Sequence, residues 1–298
     1  MSNPLVTDAV GSRGKHGRGK LFLAEILAIV VMLLVLTPFI VVLLNATKTY
    51  DEIVLSPVAL PQDAGQLGRN IQGVFNDPIV DLVGAFTDSA IITVVSLGVL
   101  VMFSSMAAWV LVRNKSRLSQ FLFMLFVAAM VIPFQVVMYP LVYFLRAIGD
   151  NLGIPMLGTY HGVVFAYLGF GCSLSIFVFH GFIKGIPLAL EESATIDGCS
   201  QPGIFFRIVL PLLKPVMVTV MILNGIWIWN DYLLPLLVLG GNGAVQTIPL
   251  AVTAFAGAYV KQWNLIMTAA LLAMIPIIVL FLFAQKYIIK GMVDGAIK

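Results

Sequence analysis

Six long apolar runs constrain the fold of this chain more than any other feature of its sequence. Each run is long enough to cross a hydrocarbon core of about 30 Å, which takes roughly 20 residues of helix. Glu25 and Asp231 are the only acidic residues inside the runs. Because lipid offers no hydrogen-bond partner to the backbone, each run must be helical, and continuous runs do not suit a membrane barrel. We therefore predict an all-α polytopic membrane protein with six transmembrane helices, at about 21–44, 90–112, 118–145, 160–182, 216–239 and 265–285.

The composition supports a membrane-embedded chain. Of its residues, 60% are hydrophobic and 10% are charged, whereas a soluble domain has roughly 25% charged residues. The net charge of +3 is too small to indicate a nucleic-acid partner. We therefore expect the chain to lie in membrane lipid. Cys172 and Cys199 have no metal-type spacing and imply no disulfide framework. His161 and His180 stand at opposite ends of the fourth run, about 28 Å apart along a helix, so no metal site is expected.

The N-terminal segment 1–20 is basic and precedes the first apolar run. A cleaved signal peptide is one interpretation, but the 24 residues of 21–44 exceed an apolar core of about 7–15 residues, and no convincing cleavage site follows. Gly14 to Lys20 also has the glycine and lysine spacing of a phosphate-binding loop. Leu21 stands where that loop needs a hydroxyl, and no strand precedes it. We expect a flexible basic tail, and we do not expect the chain to bind ATP itself.

The distribution of Lys and Arg predicts how the chain is oriented in the membrane. Of the 17 basic residues, 13 lie in segment 1–20, near 113–117, in the loop 183–215 and in the tail 286–298. The three opposite loops contain the other four, and the longest of them, 46–89, is acidic. Basic residues favour the cytoplasmic side. Both termini and the loop 183–215 are therefore predicted to be cytoplasmic, and 46–89 is predicted to form a small external cap.

The stretch from Pro187 to Pro211 separates the fourth and fifth runs with charged residues, glycines and prolines. Pro187 suits the first turn of a helix, and Gly198 is placed to end that helix in a left-handed conformation. Ser200 can then cap a second short helix, with Pro202 in its first turn, that runs as far as Pro211. The residues alone leave two interpretations open, a hairpin at the membrane surface or a docking element for a soluble partner.

The same stretch resembles the EAA signature of permease subunits from binding-protein-dependent ABC importers. In that signature Glu-Ala-Ala is followed after three residues by Gly, and after nine more by Ile-x-Leu-Pro. The matching residues here are Glu192-Ser193-Ala194, Gly198 and Ile208-Val209-Leu210-Pro211. Ser193 replaces the usual alanine, which is a change between two small residues. One departure lies before the second run, where Asp88-Ser89 stands in place of the family's frequent Asn-Ser.

The resemblance extends from about residue 21 to the C-terminus and is to the sugar-type branch of the family. The segments that carry it are AAWVLVR (107–113), IPFQVVMYPL (132–141), WIWNDYLLPL (227–236) and QKYIIKGMVDGAIK (285–298). The last of these looks like the tail of the smaller permease subunit in maltose and glycerol-3-phosphate-type importers. The resemblance therefore implies a type I ABC importer permease fold and a multi-pass location in a bacterial cytoplasmic (inner) membrane.

The resemblance also implies a division of labour among subunits. An extracytoplasmic solute-binding protein would deliver an oligosaccharide or related sugar. A second permease would pair with this chain to form the path, and two ATPase subunits would bind ATP and magnesium. The chain itself would bind no cofactor and would not be an enzyme. Its contacts with an ATPase would come from the loop 183–215, through Glu191, Glu192, Ser193, Ala194, Asp197, Gly198, Phe205, Ile208, Leu210 and Pro211.

The fifth run contains the best local supply of groups that could contact a sugar. Aromatic rings and amides suit sugars, but Trp and Tyr also concentrate at membrane interfaces, so both interpretations stay open. The candidate residues for the path are Asn224, Trp227, Trp229, Asn230 and Tyr232.

Asp231 raises the alternative of an ion-coupled secondary transporter, which needs ionisable residues near the midplane. A lone acid without a partner favours the importer instead. A membrane enzyme is not favoured, because no nucleophile–base pair is apparent.

The four prolines of the third, fifth and sixth runs each remove a backbone hydrogen bond and predict kinks there. They are Pro133, Pro140, Pro235 and Pro276.

Overall fold

The computed structural model describes residues 13–241, 243–256 and 262–296. Throughout these residues the regular structure is helical and no strand is present, which confirms the all-α prediction. The side chains of the predicted tails 1–20 and 286–298 lie outside the described residues. The helices are α1 (Arg13–Ala46), α2 (Tyr50–Leu55), α3 (Gln66–Phe75), α4 (Leu82–Arg113), α5 (Arg117–Ala129), α6 (Phe134–Leu152), α7 (Tyr160–Ile183), α8 (Ala189–Ile196), α9 (Gln201–Ile204), α10 (Leu210–Leu212), α11 (Lys214–Asn230), α12 (Leu233–Leu239), α13 (Ile248–Ala254) and α14 (Trp263–Ala296).

Helices α4 and α7 form the centre of the bundle and pack along each other. They approach closely at Gly171, where an added Cβ would lie 2.9 Å from the side chain of Leu100. Leu100, Val163 and Tyr167 are fully buried in this contact region. Small residues permit such approach between membrane helices, whose association in lipid depends on packing. The α4–α7 pair is therefore the unit against which α5, α11 and α12 are arranged.

Helix α1 lies at the edge of the bundle and contacts α14. Its residues 21–40 are all exposed, although an 18-residue window within Leu21–Ala46 has a mean hydropathy of 3.2. At its end, the carbonyl of Ala46 accepts hydrogen bonds from Asn70 Nδ2 (2.9 Å) and Thr268 Oγ1 (3.3 Å). Because Thr268 lies near the start of α14, the two helices run in opposite directions. An exposed apolar surface of this size has to be covered by lipid or by protein.

The helices that could cross a membrane number four among the described residues, or up to six if two bent pairs each count as one span. The four are α1 from Leu21, α4, α7 and α14 as far as Phe283. The bent pairs are α5 with α6, which meet at 109°, and the stretch Gln201–Leu212 with α11, which meet at 75°. The predicted window 118–145 is therefore not one straight helix. The window 90–112 is continuous, but its helix α4 starts earlier, at Leu82.

Two of the four prolines interrupt a helix, and the missing N–H explains why. Helix α5 ends at Ala129, four residues before Pro133, and α11 gives way to an extended residue at Asp231 (ψ 127°), four residues before Pro235. Proline cannot donate to the carbonyl four residues earlier, and its ring clashes with that carbonyl. The predicted continuous helix 216–239 is corrected accordingly, since it breaks at Asp231. The other two prolines, Pro140 and Pro276, lie inside α6 and α14 and end neither helix.

Residues 46–81 connect α1 to α4 through α2 and α3. Lys48 is 1% exposed, and its Nζ donates to the carbonyl oxygens of Ser56 (2.9 Å) and Pro57 (3.0 Å). Helix α2 begins with a capping box, in which the Thr49 N–H donates to the Glu52 carboxylate at 2.8 Å. This hydrogen bond holds the pKa of Glu52 below its ordinary value. We call the end of the bundle that carries α2 and α3 the cap end, and the end that carries α8 to α10 the loop end.

Candidate functional site

The loop end consists of two short helices joined by a tight turn. Helix α8 ends in a Schellman motif, in which the Gly198 N–H donates to the Thr195 carbonyl (3.0 Å) and the Cys199 N–H donates to the Ala194 carbonyl (2.9 Å). Gly198 has φ +81°, which favours glycine. Ser200 then caps α9 by accepting from the Gly203 N–H. The two helices are thus joined by a defined turn, as their sequence predicts.

The second short helix contains a π-helical turn at Phe205–Val209 and continues past Pro211 to Leu212. The sequence predicts that this helix runs as far as Pro211, and in the structure it ends one residue later, at Leu212. In a regular α-helix the ring of Pro211 would clash with the carbonyl of Arg207. Arg207 lies in the π turn, where the backbone is wider. The wider turn lets the chain pass the proline, and the helix then bends into α11.

A buried ion pair attaches α8 to the end of α4. Glu191 Oε1 accepts from Arg113 Nη2 (2.7 Å) and Nε (2.9 Å), and Glu191 Oε2 accepts from the indole of Trp109 (3.0 Å). The side chains of Arg113 and Glu191 are 20% and 8% exposed. Arg113 also donates to the carbonyl of Ile186 at 3.1 Å. Because a charged side chain is rarely buried without a partner, this pair anchors α8 firmly to α4.

The ten predicted contact residues of this loop divide by burial. Phe205 packs against Trp109 with ring centroids 5.4 Å apart, so it belongs to the core of the loop end. Three of the ten side chains are buried within the chain itself: Glu191, Ala194 and Phe205. Two are half-buried: Ile208 and Leu210. Five are exposed: Glu192, Ser193, Asp197, Gly198 and Pro211.

Three residues with a role at the loop end were not predicted from the sequence. Ile196 is 87% exposed, two residues after the buried Ala194 and therefore on the opposite face of α8. Trp109 and Arg113 lie in the segment AAWVLVR, which carried the family resemblance but no assigned role. Only their contacts with Glu191 reveal that role, and no spacing in the sequence pairs residues this far apart.

The polar residues of the fifth run do not all point to one place. Asn224 is buried, and its Nδ2 donates to Ser175 Oγ (3.1 Å) in α7 and to the carbonyl of Val220 (2.9 Å). The indole of Trp229 donates to the carbonyl of Ala273 in α14 at 3.2 Å. Both side chains therefore join α11 to neighbouring helices within this chain. Asn230 is exposed, and its Nδ2 donates to the carbonyl of Ile226 in its own helix.

The break in the fifth run brings an acid, a phenol and an indole together. Asp231 Oδ2 accepts from the Tyr167 hydroxyl (3.2 Å), and Oδ1 accepts from the Leu233 N–H (3.1 Å). The ring of Tyr167 meets that of Trp227 edge to face, with centroids 5.3 Å apart. Trp227 and Tyr232 remain 38% and 39% exposed. Of the predicted path residues, these two keep accessible aromatic surface beside a carboxylate.

At the cap end, Asp88 and Ser89 connect three parts of the chain. Asp88 Oδ1 accepts from the Tyr160 hydroxyl (2.5 Å), and Oδ2 accepts from the Gln246 N–H (2.8 Å). Ser89 Oγ accepts from the Ile248 N–H at 2.8 Å. The departure from the family's Asn-Ser therefore falls on a junction of α4, α7 and the segment before α13.

No group of three or more His, Cys, Asp or Glu side chains within the described part of the chain could hold a metal ion. His161 bonds the carbonyl of Pro155 at 2.7 Å, and His180 stacks on Phe123. These two histidines therefore make separate local contacts.

Comparisons with known proteins agree with the architecture. Residues 100–294 match the family described as binding-protein-dependent transport system inner membrane component. The chain is 40% identical over 277 residues to a probable starch degradation products transport system permease protein, AmyC, of Thermoanaerobacterium thermosulfurigenes, covering 93% of this chain and 97% of the relative. It is 38% identical over 215 residues to a melibiose/raffinose/stachyose import permease protein, MelC, of Bacillus subtilis, covering 72% of this chain and 75% of the relative.

A solved structure shows the same fold. One chain of a bacterial ABC transporter involved in the import of the acidic polysaccharide alginate superposes with a TM-score of 0.73 at 20% identity. The match covers 92% of this chain and 98% of that one.

Proposed function

The chain belongs to the family of binding-protein-dependent transport system inner membrane components, and we propose that it forms half of the path of an ATP-driven carbohydrate importer. Members of this family are multi-pass permease subunits of the inner membrane and are not themselves enzymes. The observation that carries the proposal is the loop end, where an exposed helix–turn–helix is anchored by the buried Arg113–Glu191 pair. We propose that this element couples the chain to an ATPase subunit.

The coupling residues take two roles in this proposal. The exposed residues contact the ATPase: Glu192, Ser193, Asp197, Gly198 and Pro211, with Ile196 as an apolar anchor between the two acids. The buried residues hold that surface in position from within the chain: Glu191, Ala194 and Phe205. Ile208 and Leu210 are half-buried and join the two sets. Exposed acids beside an apolar side chain suit a partner cleft with a basic rim and an apolar floor.

Rigidity is what such an element needs in order to transmit a movement. Inverting a conformational equilibrium from 1:99 to 99:1 takes about 5.5 kcal/mol of differential interaction. A flexible loop would deform when an ATPase subunit moved against it and would not pass the movement on. Helix α8 is instead attached to the end of α4 through Glu191. Since α4 packs along α7, a displacement of α8 would move the central pair of the bundle. ATP and magnesium are bound by the partner ATPases in this scheme, not by this chain.

Carbohydrate is the proposed cargo because the names of two relatives specify it. AmyC is named for starch degradation products and MelC for melibiose, raffinose and stachyose. The accessible rings of Trp227 and Tyr232, beside the Asp231 carboxylate, supply stacking surface and acceptors for sugar hydroxyls. Asn224 and Trp229 support this region by joining α11 to α7 and α14. Asn230, exposed at the break, is proposed to face the path.

The ion-coupled alternative is not favoured by the surroundings of Asp231. Both of its carboxylate oxygens already accept a hydrogen bond from within the chain. Ion-coupled sites near the midplane are built from several converging ionisable or carbonyl groups. Asp231 instead stabilises the break between α11 and α12.

The remaining partners follow from the proposed orientation. The surplus of Lys and Arg on the side of the loop 183–215 supports a cytoplasmic location for that side. The cap end would then meet the solute-binding protein, and the ATPases would meet the loop end. A second permease would complete the path as a heterodimer, and lipid would cover the remaining apolar surface.

The test is co-purification of ATPase activity with the tagged full-length chain in mild detergent. Glu192→Lys reverses an exposed charge on the proposed contact surface, and Asp150→Lys reverses an exposed charge on α6, away from that surface. We expect ATPase activity to accompany the native chain and the Asp150→Lys variant, and to be lost with Glu192→Lys. Equal retention in both variants would remove the docking role of α8. Absence of ATPase from the native chain would refute the proposed function itself.

A further inference from the structure

A second feature of the loop end is a cavity of about 800 Å³ between α4, α5 and α7. Its rim includes Arg113 at the end of α4, Lys115 in the turn between α4 and α5, the first turn of α5, and the segment 184–188 that leads into α8. We call it the basic cavity. Its volume lies within the range of about 300–1,000 Å³ that is usual for small-molecule sites. No Asp or Glu lines it, so its charge is positive.

Two of its cations have no partner of opposite charge. Arg113 is committed to Glu191. Across the side chains that the structure describes, the only other ion pair joins Arg69 to Asp63 at the cap end. Lys115 and Lys184 are therefore free to meet an anion at the mouth of the cavity. The first turn of α5 lies beside them, and the positive end of its dipole favours an anion at the same place.

His180 supplies an independent indication of a ligand. His180 is 7% exposed and lines the cavity. Its ring stacks on that of Phe123, with centroids 3.7 Å apart. Neither ring nitrogen makes a hydrogen bond with any described residue. Neither nitrogen is among the buried side-chain atoms that lack a partner, so both can be reached from the cavity. A ligand with an acceptor or a hydroxyl could bond to the imidazole there.

An apolar cavity adjoins the basic one. It measures about 660 Å³, shares Phe123, His180 and Lys184 with the basic cavity, and is otherwise lined mainly by apolar groups such as Phe177 and Val178. Phe177 is 49% exposed, and several apolar side chains of α5 are exposed as well. Together the two cavities form an amphipathic site, with cationic side chains at one end and an apolar cavity at the other.

We propose that the paired cavities bind an anionic phospholipid, with the headgroup phosphate between Lys115 and Lys184 and one acyl chain in the apolar cavity. Basic pockets between membrane helices suit anionic headgroups. A soluble phosphate would use the cations but leave the apolar cavity without an occupant. A protein partner would have to complement both the basic cavity and the apolar cavity.

The bound lipid would bridge the α4–α5 turn and the segment that leads into α8. Since Arg113 and Ile186 on this rim also hold α8, the lipid would stiffen the proposed coupling element. That consequence rests on the proposed function, whereas the binding itself rests only on the cavities.

The test counts phosphatidylglycerol bound to the full-length chain by native mass spectrometry, after reconstitution into phosphatidylcholine nanodiscs with a rising fraction of phosphatidylglycerol. We expect Lys184→Gln to raise the phosphatidylglycerol fraction needed for half-occupancy about fivefold. The double variant Lys184→Gln/Lys115→Gln should raise that fraction about fivefold again. Lys214→Gln is the matched control, because this exposed lysine lies at the same end but lines neither cavity. It should leave occupancy unchanged. Equal losses from Lys184→Gln and Lys214→Gln would indicate diffuse attraction and overturn the proposal.

Two further arms distinguish the alternatives. Gly181→Leu would fill the apolar cavity, where a Cβ meets no atom within 4 Å. We expect it to lower phosphatidylglycerol occupancy, and unchanged occupancy would refute the acyl-chain site. Inorganic phosphate should not displace the lipid, and equal displacement would assign the cavity to a soluble anion. If Lys184→Gln reduced ATPase co-purification and left lipid binding intact, the cavity would instead serve the ATPase. Glu192→Lys should leave the lipid count unchanged, which separates this outcome from failure of the proposed function.

Discussion

Replacing Glu191 with alanine tests the claim that a buried ion pair holds α8 in place. The substitution removes the two bonds from Arg113, at 2.7 and 2.9 Å, and the bond from Trp109 at 3.0 Å. Losing one partner of a buried pair costs about 3–5 kcal/mol. The Arg113 side chain retains 20% exposure and can partly rehydrate, so we expect a loss of about 3 kcal/mol. That loss would raise the population of locally opened α8 on the order of a hundredfold.

The assay is hydrogen–deuterium exchange of the peptide that covers α8, compared with peptides from α7. Protection of α8 should fall by on the order of a hundredfold in Glu191→Ala, while α7 keeps its protection. Glu192→Ala is the control, because its side chain is exposed and surface substitutions usually change stability by less than about 0.5 kcal/mol. Equal protection of α8 in Glu191→Ala and Glu192→Ala would refute the anchoring role of the ion pair.

Two further predictions concern Asp231 and the cap end. In proteoliposomes, Asp231→Asn should keep ATP-driven uptake within about fivefold of the native rate, because the substitution removes about one hydrogen bond and no ion site. If an ion gradient alone drove uptake, and Asp231→Asn abolished that uptake, the result would support ion-coupled transport. The pKa of Glu52 is lowered from its ordinary value of 4.5, so the capping box stabilises α2 fully when the pH is above 4.5. This stabilisation is lost as the pH falls through the lowered pKa. Exchange protection of α2 should therefore fall on acidification, and Thr49→Ala should move that fall toward higher pH; an unmoved midpoint would count against the capping box.

The matched family and its relatives establish a permease of the inner membrane. The roles proposed for individual residues in the loop 183–215 rest instead on burial and contacts. The division of that loop into an exposed face and a buried anchor is the step that the motif alone does not supply.

Much of the fold could be predicted from local sequence because the bilayer leaves few choices. Apolar runs of this length must be helical in lipid, whatever their neighbours. Gly198 and Ser200 act within one or two turns of their own backbone, so their roles as helix stop and helix cap were also predictable. The turn that joins α8 and α9 therefore follows from the residues that form it.

Contacts between distant residues were decided only by the tertiary structure. Pro133 and Pro235 interrupt helices while Pro140 and Pro276 do not, although all four lack the same N–H. The missing N–H alone therefore does not decide whether a membrane helix ends, because neighbouring helices, side chains or water can satisfy a freed carbonyl and local sequence does not specify them.

The same limit applies to the coupling loop. Glu191 and Glu192 are identical neighbours in sequence, yet one is buried against Arg113 and the other is exposed. The helix period turns neighbouring side chains about 100° apart, so only the position of α4 beside α8 determines which carboxylate becomes the anchor. The sequence by itself determined that a helix–turn–helix stands between the fourth and fifth runs. Packing decided which of its faces is available to a partner, because burial depends on residues far away in the chain.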